Sequence, residues 1–172
     1  RLFAYVEVGR LSDRAARDAL VLPAEREGVA YLPDALELIL ARAERYPFFI
    51  QTYGRLAWQV ARESPIELAD AQNADALARE QLDIGFHRAR FNRATPGERR
   101  YLAAIAALGE GPQLTAAVSA RLGQTQQATA VQRQRLIDVK GLIFSPQRGY
   151  VDFTAPLFGD WIRRTHPLDS LI

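Results

Sequence analysis

From Leu122 to Thr154 the chain reads LGQTQQATAVQRQRLIDVKGLIFSPQRGYVDFT, with glutamines and arginines at helical spacing ahead of two short apolar segments joined by a turn. Glutamine can bond adenine through two atoms and arginine can bond guanine in the same way. Gln126, Gln127, Arg133 and Gln134 therefore form a candidate set for reading a DNA major groove. Arg148, in the turn PQRG, is placed to meet a phosphate or enter a minor groove. The same residues also suit a plain solvated helix face. Asp138 on that helix, a single lysine in the whole chain and the shortness of the turn all weigh against strong DNA binding.

The elements that must hold these residues can be read from local signals. In ATPGERRYL, Thr95 caps a helix, Pro96 takes its first position and Glu98 reaches back to the cap, a capping box. That helix carries Tyr101, Leu102, Ile105 and Leu108 as far as Gly109. TAAVSARLG gives a short helix with Thr115 as cap, Val118 and Leu122 inward and Gly123 as a left-handed stop. A helix follows from about Gln126 to Lys140, stopped at Gly141. Its expected inward positions are Ala128, Val131, Leu136 and Val139, with Gln126, Gln127, Ala130, Arg133 and Gln134 outward. Strand LIFS, turn PQRG and strand YVDFT complete the order helix, helix, turn, helix, hairpin, which is that of a winged helix-turn-helix domain with a short β-hairpin wing, assigned to residues 93–172. PLFGDWIRRT adds a last helix with Leu157, Phe158, Trp161 and Ile162 on its apolar face.

Residues 1–92 read as a small helical bundle, so the fold class is mainly α. RLFAYVEV, residues 1–8, reads as a lone buried strand with no neighbour to pair with. It is expected to be left over from a sheet-bearing domain that precedes the chain. Ser12 caps a first helix that is expected to end near Pro23, with Ala15, Ala16, Ala19, Leu20 and Leu22 inward. Pro33 opens a second helix. Pro47 opens a third, bearing Phe49, Ile50, Tyr53, Leu56, Ala57 and Val60. A fourth runs from about Leu68 to Phe91 with Ala74, Leu77, Ala78, Leu82, Phe86 and Ala89 inward.

Composition removes several classes of chemistry. The 172 residues include no cysteine, which rules out disulfides and thiolate metal sites. His87 and His166 stand far apart and read as ordinary surface or helix-end residues, so no metal site is expected. No apolar run approaches a membrane span, and a cytoplasmic location is expected, with no membrane partner. Residues 1–92 carry 12 basic and 14 acidic side chains, net −2, while residues 93–172 carry 10 and 6, net +4. The second half is thus compatible with a polyanion without requiring one.

YPFFIQ, RATPGERRYL, the LG and KGLI positions and FTAPLFGDWIRR, in this order, resemble the C-terminal part of bacterial AAA+/STAND-type ATPases, where a helical lid and a winged helix follow the nucleotide-binding core. The resemblance covers nearly all of the chain. It implies that residues 1–92 are a lid whose Gly-x-Pro signature falls on Arg45, Tyr46 and Pro47, with Pro47 and Tyr46 beside the adenine and arginine in place of the family's glycine. The sequence contains no Gly-x-x-x-x-Gly-Lys-Ser/Thr phosphate loop and no acidic residue placed after an apolar strand to hold magnesium, so catalysis by this chain alone is not expected. ATP or ADP is expected only on the parent protein. The implied partner is the upstream ATPase domain of the same chain, with duplex DNA or another protein as a further partner.

Overall fold

Caps and prolines decide where most helices begin, and the computed structural model, which describes residues 9–171, starts them at those signals. The strand expected over residues 1–8 lies outside the described residues. The chain is mainly helical with one small antiparallel sheet, and it divides into two compact units between Gln81 and Leu82.

In the first unit Ser12 Oγ accepts from the Ala15 amide at 3.2 Å and opens α1, Asp13–Arg26. This helix runs through Pro23 instead of ending there. Pro23 and Ala19 both lie on the exposed side, so the Ala19 carbonyl that loses its N–H partner faces water. Ala16, Leu20 and Ala24 are buried, four residues apart, whereas Ala19 and Leu22 are exposed. Helix α2, Pro33–Ala43, and α3, Pro47–Val60, each have proline at the first turn, and α4 covers Leu68–Leu82. A Cβ added at Gly54 of α3 would stand 2.5 Å from Leu20 Cδ2, so α1 and α3 approach to a distance that only glycine permits. The Asp75 carboxylate joins three helices: it accepts from the Tyr53 hydroxyl at 3.1 Å and pairs with Arg79 at 3.1 Å and Arg42 at 3.4 Å. Burial first, and then Asp75, hold the Tyr53 phenol protonated well above its ordinary range.

At the start of the second unit α4 passes into a π-helical turn, Asp83–His87, and then α5, Arg88–Asn92. A π turn takes about one residue more than an α turn and so shifts by about one position which residues of α5 face inward. Ala89, expected inward, is consequently exposed, while His87 and Phe91 are each 1% exposed. The surface role read for His87 is therefore corrected. Leu77, also expected inward, is exposed as well. His87 stacks on Phe158 at 5.7 Å and Trp161 at 6.0 Å, and Phe91 meets Trp161 edge-on at 5.5 Å.

Helix α6, Pro96–Ala107, carries the expected capping box, and every residue from Tyr101 to Ala106 is buried. It is the centre of this unit, packed by α7, Thr115–Arg121, by α8, Gln126–Asp138, and by α9, Phe158–Thr165. Strands β2, Ile143–Phe144, and β3, Tyr150–Phe153, form the expected hairpin, and a short strand that the sequence did not announce, β1, Gln113–Leu114, pairs with the other edge of β3. Leu114 occupies the cap position of α7. Thr115, expected there, instead lies buried in the first turn. Among the described residues no helix is long and apolar enough to cross a membrane.

Candidate functional site

The position of every side chain on α8 follows from which two residues face inward. Thr129 and Leu136 are buried, the former because its hydroxyl shares a 2.8 Å hydrogen bond with Ser119 of α7. This phase differs from the expected one. Val131 and Val139, read as core, are 66% and 65% exposed, and Ala128 is exposed too. Arg133 and Ala130, read as outward, are half-buried. The outward stripe is Gln127, Ala128, Val131, Gln134, Arg135 and Asp138, as three- and four-residue steps require.

Two of the expected base readers on this helix, Gln126 and Gln134, are engaged within the protein, and so is Arg135. Gln126 Oε1 accepts from the Thr115 hydroxyl at 3.0 Å and ties α8 to α7. Gln134 donates to the Asp138 carboxylate at 2.6 Å. Arg135 pairs at 3.2 Å with Glu98, whose other carboxylate oxygen accepts from the Thr95 amide at 2.8 Å, so this guanidinium is bound to the capping box of α6. Gln127 and Arg148 are exposed and make no side-chain hydrogen bond or ion pair among the described residues. What the stripe offers a partner is apolar at its centre, and on the adjoining hairpin Phe144 is 42% exposed. The sequence did contain both valines. They were assigned inward because aliphatic residues normally supply a helix's core face, whereas here that face uses a threonine hydroxyl.

The other candidate set lies between α2 and α3. Glu44 and Arg45 both have left-handed backbones, with φ of 47° and 59°. Arg45 thus adopts, without being glycine, a conformation that glycine reaches freely. Three contacts hold it: the Arg45 carbonyl accepts from the Leu11 amide at 2.9 Å, its guanidinium donates to Asp13 at 2.9 Å, and Glu44 pairs with Arg10 at 2.6 Å. Tyr46 caps α3 and packs edge-on against Phe49 at 5.2 Å, with Pro47 at the first position; both are half-buried. An open groove of about 430 Å³ beside this turn is lined by Arg10, Asp13, Leu40, Ala41, Glu44 and Arg45. Tyr46 and Pro47 are not among its lining residues. A second open groove, about 370 Å³, runs between α1 and α3 past Leu20, Pro23, Tyr31, Gly54 and the half-exposed Trp58. Among the described residues no cluster of three or more histidine or acidic side chains could hold a metal ion.

Two histidines have lowered pKa values. Burial pushes His87 down to about 4, with the Asp83 carboxylate opposing the shift. Burial, then Arg99 and Arg88, lower His166. Both rings belong to the aromatic cluster of α5 and α9, which is closed to solvent at His87.

Residues 84–162 match the model of a family described as a domain of unknown function (DUF8462). The match begins two positions after the division between the units and ends within α9, so it falls inside the second unit. No curated protein and no solved structure matches the chain.

Proposed function

We propose that the chain is the lid and winged-helix portion of an AAA+/STAND-type ATP-binding protein, and that its winged helix docks on a protein surface and couples nucleotide state to it. The observation that carries the docking half is the outward stripe of α8, where Val131 is two-thirds exposed, as is Val139 just past the helix end, while Gln134 and Arg135 are held by Asp138 and Glu98. A helix built to read bases would leave such groups uncommitted. Exposed aliphatic residues rimmed by polar ones suit a protein partner. The order α6, β1, α7, α8 and the β2–β3 hairpin supports the winged-helix reading. The quoted motifs and the left-handed Arg45 at the glycine position of the lid signature support the lid reading. On this reading the chain hydrolyses nothing alone, and ATP or ADP binds the upstream domain with Tyr46 and Pro47 at the edge of its site.

The alternative is duplex DNA, favoured by the uncommitted Gln127 and Arg148 and by the net +4 of residues 93–172. Two measurements separate the readings. Hydrogen exchange on the parent polypeptide with ATP or ADP is expected to change over residues 126–144, and identical protection in both states would remove the docking reading. Anisotropy of labelled random-sequence duplex is expected to show no micromolar binding. Binding that weakens steeply with salt and is lost in Arg133→Ala with Arg148→Ala would install the DNA reading in its place.

A further inference from the structure

Between the first turns of α6, the turn joining α7 to α8, and the middle of α8, the second unit encloses a partly open cavity of about 110 Å³. Gly97, Arg100 and Tyr101 line it from α6, Leu122 and Gln124 from the turn, and Gln132 from α8. Two of these side chains are anomalous for a protein interior. Tyr101 is 1% exposed and its hydroxyl has no hydrogen-bond partner among the described residues; the same is true of the buried Gln132 Oε1. Buried polar atoms are nearly always partnered, and two that line one cavity point to something that enters it. Thr129 also reaches the cavity, but Ser119 already occupies its hydroxyl. The phenol is a dependable donor there, since burial raises Tyr101 to about 12 against the opposing field of Arg133.

The lining dictates the chemistry of the guest. Tyr101 offers an O–H, Gln132 offers a carbonyl, Leu122 supplies an apolar wall, and Arg100, exposed in the lining, carries positive charge and makes no ion pair among the described residues. A cavity of about 150 Å³ takes the six carbons of benzene, so this one takes about four non-hydrogen atoms, and its open side leaves room for one more. We infer that the cavity is a binding site for a small 2-hydroxycarboxylate, its hydroxyl donating to Gln132 and its carboxylate accepting from Tyr101 and drawn by Arg100. Gly97 lies beside the Gln132 amide: a Cβ there would stand 4.0 Å from Gln132 Nε2, an ordinary contact distance. Because the guest would touch α6 and α8 together, its occupancy bears on how α8 is seated. The site itself stands whether α8 meets protein or DNA.

Glycolate is the probe, titrated to tens of millimolar into the isotope-labelled chain while the Gly97 amide and the Gln132 side-chain amide are followed by NMR. Saturable shifts at both groups are expected. Tyr101→Phe, which keeps the ring, and Gln132→Leu are each expected to weaken binding tenfold or more, as are acetate, which lacks the hydroxyl donor, and ethylene glycol, which lacks the carboxylate. Arg100 is exposed, so Arg100→Gln leaves the fold intact and is expected to weaken binding several-fold even if the other variants unfold. Shifts that rise linearly without saturation, equal affinity in the variants, or ethylene glycol binding as well as glycolate would overturn the site, leaving a cavity that holds water only.

Discussion

Arg45 has φ of 59°, a region that disfavours a side chain by about 1–2 kcal/mol. Its ion pair with Asp13 is largely exposed and returns at most about 1 kcal/mol. Replacing Arg45 by glycine removes both, and replacing it by alanine removes only the ion pair. Urea unfolding is therefore expected to find Arg45→Gly about 1 kcal/mol more stable than Arg45→Ala. Equal midpoints would mean that the turn is not held in this conformation in solution. His87 makes a second residue-scale expectation. Its folded pKa of about 4 lies below the ordinary 6.5, so between those values the unfolded chain binds more protons than the folded one. Stability is thus full above about pH 6.5 and falls as pH drops toward 4, by on the order of 3 kcal/mol. Asp83, Asp160, Arg90 and Arg164 set the field around the ring. In His87→Phe, which can keep the stacking on Phe158 and Trp161, denaturant midpoints should lose most of this acid sensitivity; an unchanged slope would assign it to other groups.

Signals that act within one turn of chain could be read directly at the scale of elements. The Thr95 to Glu98 capping box, Pro33 and Pro47 at helix starts, and Gly123 and Gly141 with φ of 66° and 60° at helix ends all occur where residue type alone put them. Facing was less legible. On α8 the inward choice is made by the Ser119 hydroxyl on a neighbouring helix, and local sequence does not record it. The π turn at residues 83–87 has no side-chain signature, so the sequence points to His87 as a surface residue and to Ala89 as inward, and gives Phe91 no place in the core. Strand β1 is too short to carry a pattern, and exists because β3 offers it an edge. The outward stripe of α8 shared this fate: Gln127 and Gln134 were read as outward, but Val131 was placed on the wrong side, and the cavity at Tyr101 and Gln132 arises only from packing. The two faces of α8 should separate in mutants. Val131→Asp is expected to change unfolding free energy by less than about 0.5 kcal/mol, as an exposed position should. Leu136→Ala, at 0% exposure, is expected to remove about 2–5 kcal/mol. A large loss at Val131 would restore the original assignment of that residue to the core.

For the molecule as a whole, the unit beginning at Leu82 has a core that draws Phe86, His87 and Phe91 together with Phe158 and Trp161. A fragment of residues 82–172 is therefore expected to unfold cooperatively by itself. A fragment of residues 93–172, without those three rings, should be less stable by several kcal/mol, since each large aromatic removed from a core is worth about 3–5 kcal/mol. Matching urea midpoints for the two fragments would show that the turn and α5 are dispensable to that core.

The chain has two tryptophans, and one falls in each unit: Trp58 is 41% exposed beside the groove of α1 and α3, and Trp161 is 2% exposed among the aromatic rings of α9. The molecule is in that sense labelled at birth with two fluorophores of different colour, a red-shifted one lit by water and a blue-shifted one kept in the dry. Emission from each would follow the melting of its own unit, so that the spectrum of one unmodified sample could tell whether the halves let go together or in turn.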